Sequence, residues 1–481
     1  MSSNFVKNTS KLLAGNTAAQ LIGIIAIPII TRLYSVEVYG LFVTVLAFSL
    51  ILTPISTMSL HLAILIPKSE IEADKIFRLS MWITSSFCII ITVILLAFSD
   101  DVLSILGTTS SVWMIIIIPI LVFLQSCYLI FTYWGVRKKS FGMISSSKVA
   151  ESLTDRIVTV TAGLAGYVSL FSLLLARLLS NLISILHLMP LYRKKIISLK
   201  YSKQEHIGYK DLILKYKRYL IFNAPSMLLI DGIRQIPVII FAAYFSPVAA
   251  GLYSIANRVV SIPVAALGNA ISKTFTQKIA IENTKKNTDG IRNNTHKFFT
   301  VLFTFLLIPF SVLSVIGDSI FGIILGNKWE SAGVLASSLS YFAMTTLIVQ
   351  AFGGLFDVMN KQHTRMIFHV CNFVVQISVL FVCIYLGFDL SSTVLYFAIF
   401  ATLMNIVAMA LLLMCVEQLE TLTLVVIRNI LPLAIFHLLA TFIMYYFESL
   451  VLSYFLIGSI SIIWFFIVGG INQLKQLKNN N

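Results

Sequence analysis

Long apolar stretches alternate with short polar ones along the whole chain. Runs near 20 residues, enough for a helix to cross the ~30 Å hydrocarbon core of a bilayer, lie at about 12–31, 41–66, 79–98, 113–135, 149–168 and 169–191. A second set falls at about 219–245, 250–272, 298–317, 334–356, 366–387 and 391–415, and two more at about 430–447 and 451–471. The pattern predicts an all-α polytopic membrane protein of about 14 spans.

Composition agrees. Apolar residues make up 58% of the chain and charged residues 11%, against roughly one-quarter charged in soluble domains. The formal net charge of +15 would point to nucleic acid in a soluble chain, but its placement removes that reading. The great majority of the 35 Lys and Arg residues fall in alternate loops: around Lys7 and Lys11, Lys68 to Arg78, Arg137 to Lys148, Arg193 to Arg218, Lys273 to Lys297, Lys361 to Arg365, Arg428, and Lys475 to Lys478. The opposite loops hold Arg32 and Lys328. Basic loops mark the cytoplasmic side, so both termini are expected there and the span count is even. The charge is a topology signal, and no nucleic-acid partner is expected.

Two phrases match across the chain. "RLYSVEVYGLF" at 32–42 and "AYFSPVAAGLYS" at 243–254 align Tyr34 with Phe245, Ser35 with Ser246, Gly40 with Gly251 and Phe42 with Tyr253. Each falls at an expected outward turn, between spans one and two and between spans seven and eight. An even offset of six spans keeps both copies in one orientation, as in parallel repeats related by an axis along the membrane normal. Pro54 and Pro263 follow at nearly equal distances. The chain therefore divides into a six-helix lobe at 1–191, a basic cytoplasmic linker at 192–218, a second six-helix lobe at 219–415, and two added helices with a tail at 416–481. The repeated Gly is expected to supply unusual backbone angles at the turn.

Four arginines fall inside the spans: Arg156, Arg177, Arg234 and Arg258. The apolar part of span five, "IVTVTAGLAGYV", is too short to cross, so "VAESLTDR" enters the bilayer with Glu151, Asp155 and Arg156. Counted from the outward turns at ~1.5 Å per residue, Arg177 and Arg258 lie ~12 Å deep, Arg234 ~16 Å and Arg156 ~18 Å. Each costs roughly 2.5–3.5 kcal/mol on insertion scales, so a shared hydrated cavity is the less costly arrangement. Asp231 and Arg234 share a helix face, and Pro225 and Pro237 predict a kink there. The opposing interpretation is that acids neutralise the arginines and staple helices together, most readily Asp155 for Arg156. Three acids against four arginines leave positive charge over, and the guanidinium fork suits phosphate oxygens. The counter-ion candidates are Asp231, Asp155 and Glu151, through which H⁺ or Na⁺ coupling remains open; no cofactor is expected.

Other residues carry less. Five cysteines fall singly in apolar runs, which supports neither a disulfide framework nor a zinc site. His61, His187, His369 and His437 are expected to be satisfied by neighbours. Trp82, Trp113, Trp134 and Trp329 are expected as interface anchors. No phosphate-binding ATPase loop is present.

"TRLYSVEVYGLF", "AAYFSPVAAGLYSIANRVVSIP" and "FGIILGNKWESAG" resemble signatures of bacterial polysaccharide flippases of the Wzx type, whose superfamily also holds multidrug exporters and lipid II flippases. The resemblance runs through spans one to twelve. It implies two six-helix lobes around a cationic central cavity, in the bacterial inner membrane. It also implies a transporter rather than an enzyme, working by alternating access on an undecaprenyl-diphosphate-linked oligosaccharide such as an O-antigen unit. A polysaccharide polymerase and a chain-length regulator are the protein partners it implies. Arg258 stands where lipid II flippases carry an eighth-helix arginine, Asn257 where they often have an acid, and Ala47 at the repeat-equivalent position. Arg32 fits the "R-L-Y-S" turn as an outer-mouth residue or a snorkelling interface arginine. The substrate-binding candidates are thus Arg177, Arg234, Arg258, Arg156 and Arg32. The alternatives are a drug or cation antiporter, which calls for an acidic cavity, and a membrane glycan polymerase or glycosyltransferase, which usually carries a long outward catalytic loop.

Overall fold

A computed structural model describes residues 3–106, 112–196, 208–446 and Ile457. Those residues are helical, with no strand among them, as a chain in lipid requires, because a helix satisfies its backbone polar groups within one segment. The order is α1 (Ser3–Leu33), α2 (Val36–Ser56), α3 (Leu60–Ala63), α4 (Glu70–Ala97), α5 (Ser99–Ile105), α6 (Val112–Arg137), α7 (Phe141–Leu164), α8 (Leu170–Ile196) and α9 (Tyr209–Arg218). A π-helical turn (Tyr219–Asn223) leads into α10 (Ala224–Tyr244). Then come α11 (Pro247–Thr284), α12 (Thr288–Leu325), α13 (Glu330–Phe352), α14 (Gly354–Val358), α15 (Gln362–Tyr385), α16 (Leu390–Met414) and α17 (Leu419–Tyr446).

Among the described residues, 12 helical segments are long and apolar enough to cross a membrane. Helix α7 has comparable length but carries Lys148, Glu151, Asp155 and Arg156, which lower its hydropathy; it is the expected span five. The expected span at 451–471 lies outside the described residues, apart from Ile457.

Three segments depart from the expectation. The apolar run at 41–66 does not hold one helix. Helix α2 stops at Ser56, and Met58 and Ser59 adopt left-handed angles (φ 45° and 55°) before α3. Hydroxyls compete for the backbone at that break: Ser56 Oγ donates to Thr53 O at 2.8 Å and Thr57 Oγ1 to Pro54 O at 3.3 Å. The basic stretch at 273–297 is largely helical rather than a loop. Helices α11 and α12 are 38 residues each, about 57 Å long, so the pair runs well past a ~30 Å core. The irregularity expected at Pro225 takes the form of the π turn before it, where Ala224 N–H reaches back to Tyr219 O, because Pro225 cannot donate to the carbonyl four residues earlier.

The turns repeat. Lys139, between α6 and α7, and Asn360, between α14 and α15, both sit at φ 55°. Gly166, between α7 and α8, and Gly387, between α15 and α16, lie at φ 86° and 73°. The two members of each pair are the same number of residues apart, so equivalent connections in the two halves reuse one backbone device.

Contacts divide the chain into two compact units, Met1–Gly251 and Leu252–Asn481. In the first, α1 packs on α7, α7 on α8, α4 and α2 on α6, and α10 on α2. This last contact is why the packing boundary falls inside α11, beyond the basic linker. In the second unit, α12 packs on α13, α13 on α16, α15 on α16 and α17 on α12. At the loop-rich end of the first unit, Phe77 stacks on Tyr192 at 4.2 Å, and Trp134 closes edge-on against both. Trp134 and Trp329 are fully buried, so they are core residues and not the interface anchors expected from their positions. Trp134 Nε1 donates to Leu191 O, the partner a buried indole needs.

Candidate functional site: a charged cluster within the first unit

Helix α7 presents its polar side inward. Ser147, Glu151, Asp155 and Thr159, four residues apart, are all buried, while Leu153, Ile157 and Leu164 are exposed. Fourfold spacing keeps these polar groups on one face, which is packed by α1 and α8. Glu151 is 4% exposed and both carboxylate oxygens are engaged. Lys148 Nζ donates to Oε2 at 2.7 Å, and Arg177 Nη1 of α8 lies 3.1 Å from Oε1. Arg156 Nη2 is 3.1 Å from Asp155 Oδ2. Lys148 also lies 5.5 Å from the Tyr128 ring centre, and Tyr128 Oη and Ser147 Oγ are 3.4 Å apart. Two ion-paired sets thus lie along α7: Lys148 and Arg177 on Glu151, and Arg156 on Asp155.

The structure answers the position of each expected residue. Arg156 and Arg177 are joined to carboxylates, and Glu151 and Asp155 are those carboxylates. Asp231 is half-buried on α10, and Arg234, three residues on along the same helix, is exposed. Arg258 is half-buried on α11 in the second unit. Arg32 is exposed in the last turn of α1. Four of the five arginine candidates therefore belong to the first unit, and two of them, Arg156 and Arg177, pair with different carboxylates of α7.

The repeated phrase now has a structural account. Ser35 and Ser246 cap the helices that follow them: Val38 N–H donates to Ser35 Oγ and Ala249 N–H to Ser246 Oγ, both at 3.2 Å. Tyr34 is fully buried, and its hydroxyl donates to Thr159 O at 2.9 Å and lies 3.2 Å from Ser172 Oγ. Gly40 and Gly251 are inside helices, so their role is not the turn conformation expected. They touch. A Cβ on Gly251 would stand 2.6 Å from Val36 O and 3.1 Å from Gly40 Cα, and one on Gly40 would fall on the Pro247 carbonyl. Small residues allow such approach where lipid offers no hydrophobic drive between helices.

Several polar residues escaped the sequence argument. Gln125 Nε2 donates to Ser49 Oγ at 3.2 Å, Thr53 Oγ1 donates to Gln125 Oε1 at 2.9 Å, and Ser56 and Ser126 hydroxyls are 2.6 Å apart, joining α2 to α6. In the second unit Asn405 Nδ2 donates to Thr345 Oγ1 and Thr346 Oγ1 at 3.1 and 2.9 Å. Three of the four histidines find hydrogen-bond partners as expected: His61 with Thr57, His187 with Ser146, and His437 with Tyr341 at 2.6 Å; His369 has a ring contact with Phe368. The readable signal for these groups was a polar residue recurring every three or four positions within an apolar run. No cluster of three or more His, Cys, Asp or Glu that could hold a metal occurs among the described residues.

A family described as "polysaccharide biosynthesis protein" matches residues 29–334. The chain belongs to this family. Comparison with curated protein sequences gives no match. Among solved structures the fold is similar to that of the lipid II flippase MurJ in an inward closed conformation, with a TM-score of 0.72 at 13% identity, covering 97% of this chain and 99% of that one. It is also similar to an inward-facing multidrug-resistance MATE transporter of the MOP superfamily, with a TM-score of 0.59 at 12% identity over 83% of this chain and 95% of that one. A MOP-superfamily transporter from Pyrococcus furiosus, described by the reverse polarity of its binding pocket, matches at 0.55 and 12% identity over 87% and 96%. The likeness is one of fold, and it makes the chain a multi-pass membrane protein of flippase and transporter architecture within a polysaccharide biosynthesis family.

Proposed function

We propose that this protein flips an undecaprenyl-diphosphate-linked oligosaccharide from the cytoplasmic to the periplasmic leaflet of the bacterial inner membrane by alternating access. The observation that carries this reading is the excess of arginine over acid inside the spans: Arg156, Arg177, Arg234 and Arg258 against Glu151, Asp155 and Asp231. Polysaccharide assembly on a lipid carrier requires an anionic diphosphate to cross the bilayer. Arginine binds phosphate oxygens through two parallel hydrogen bonds, and Arg177, Arg234 and Arg258 are the groups assigned to that contact. The isoprenoid stays in lipid while the sugars cross in a wet path. Moving negative charge out of a negative-inside cell gains about 2.3 kcal/mol per charge per 100 mV, so the membrane potential assists. Counter-transport of H⁺ or Na⁺ through Asp231 would add to it. A drug or cation antiporter needs the opposite balance, with acids in excess.

The test is leaflet translocation of a lipid-linked oligosaccharide in cells carrying Arg258→Ala or Arg234→Ala, with membrane insertion checked separately. Each variant is expected to lose at least about tenfold in rate, the equivalent of one charged hydrogen bond. Full activity in both would remove the proposed role of these arginines, and export of an organic cation drug instead would favour the antiporter.

A further inference from the structure

The α7–α8 cluster is incompletely satisfied in a specific way. Glu151 is a single carboxylate held by two cations, Lys148 and Arg177, so one positive charge there is left over. Two further donors on α8 are buried without any hydrogen-bond partner: Arg177 Nε and Asn181 Nδ2. Asn181 is 1% exposed and stands one helical turn from Arg177, where side chains share a face. A buried amide donor left unpaired costs more than a typical hydrogen bond contributes, and a chain of this hydropathy could have placed an apolar residue there.

We propose that Arg177 and Asn181 form a phosphate-oxygen site on α8, in which Glu151 is the resident stand-in for the ligand and Lys148 is its alternate holder. This rests on the flippase reading and adds Asn181 and Lys148 to it. A phosphate group entering beside Arg177 takes the guanidinium fork from Glu151 and meets the idle Nε and Nδ2 donors. The released carboxylate keeps its bond to Lys148, so no buried acid is stranded. Lys148 is 43% exposed and has room to follow Glu151. In the unloaded state Glu151 keeps Arg177 from binding stray anions, and only a ligand offering more oxygens than one carboxylate wins the exchange. Glu151 and Lys148 act as positioning residues and Asn181 as a ligand-contacting one.

The experiment is a titration of purified full-length protein in nanodiscs with farnesyl diphosphate and, in a parallel arm, with phosphatidylglycerol, read by native mass spectrometry. Asn181→Leu is expected to weaken farnesyl diphosphate binding about tenfold, the loss of one hydrogen bond to a charged group, with the thermal midpoint unchanged or raised. Lys148→Gln should also weaken it, because Glu151 then stays on Arg177. Glu151→Gln should strengthen it by removing the competitor. Wild-type affinity in Asn181→Leu and Lys148→Gln, or weaker binding in Glu151→Gln, overturns the site and reduces the cluster to a helix staple. Equal losses in the phosphatidylglycerol arm make it a resident headgroup site and overturn the assignment to cargo. Absence of farnesyl diphosphate binding in the wild-type protein tells against the flippase reading itself. If Glu151→Gln fails to fold, the other two variants decide.

Discussion

At the scale of single residues, the polar groups of this membrane protein are mostly tied down, and their pairings decide how they respond to pH. His61, on the short α3 outside the spans, is 5% exposed, lies 2.9 Å from Thr57 Oγ1 through Nδ1, and meets the Tyr133 ring edge-on at 4.9 Å. Burial pushes its pKa down to about 4, from about 6.5 in the unfolded chain. The folded protein therefore keeps His61 neutral while the unfolded chain takes up a proton as pH falls. The stability difference is fully present above pH ~6.5 and is lost progressively down to ~4, by up to about 3 kcal/mol. Thermal unfolding in detergent at pH 7.5 and pH 5 should show a larger acid destabilisation for the wild type than for His61→Gln; equal shifts would contradict it. That Glu151, Asp155 and Arg177 sit within long helices was legible from sequence, because a charge in an apolar run cannot hide. The Asp155–Arg156 pair was legible too, but the partner of Arg177 was not. Arg177 could have reached Asp155, and only the register of α7 against α8 selects Glu151.

At the scale of helices, the two halves share devices that sequence showed only in outline. The repeated Ser was visible as a match, and its N-cap role followed once the helix starts were fixed. The repeated Gly was visible too, but its reason was not, because close approach of two backbones depends on how the helices cross. Gly40→Val should lose about 1–3 kcal/mol through overpacking, measured as a lower thermal midpoint, since its new side chain would meet the Pro247 carbonyl. Gly142→Ala in α7 meets nothing within 4 Å and should be neutral or gain up to ~1 kcal/mol from reduced chain entropy. An equal response in both would dismiss the contact. Span ends were read poorly where hydropathy was the guide. Polarity hid the helical continuation of α11 and α12 beyond the lipid, while apolarity at 57–66 hid the break before α3.

At the scale of the whole chain, alternation of basic and non-basic loops predicts a topology, and among the described residues helices end at expected turns such as Lys139, Gly166, Asn360 and Gly387. Reporter fusions that are active only outside the cytoplasm should be active after Ser246 and Phe388 and silent after Lys139, Lys286 and Asn360; the reverse pattern would invert the protein in the membrane. The described spans were legible because lipid thickness fixes span length; α7 was recovered only by reasoning that its apolar half was too short. The length of α11 has a mechanical meaning. A helix of 38 residues capped at Ser246 works as a lever, and bending at its interior Pro263 would add to the swing. Swinging it by about 5° about that cap carries the far end, near Thr284, through about 5 Å for a rod of ~1.5 Å per residue. A displacement too small to resolve beside Arg258 becomes readable at the tip, where a pair of spin labels would report the transport cycle as a change in distance.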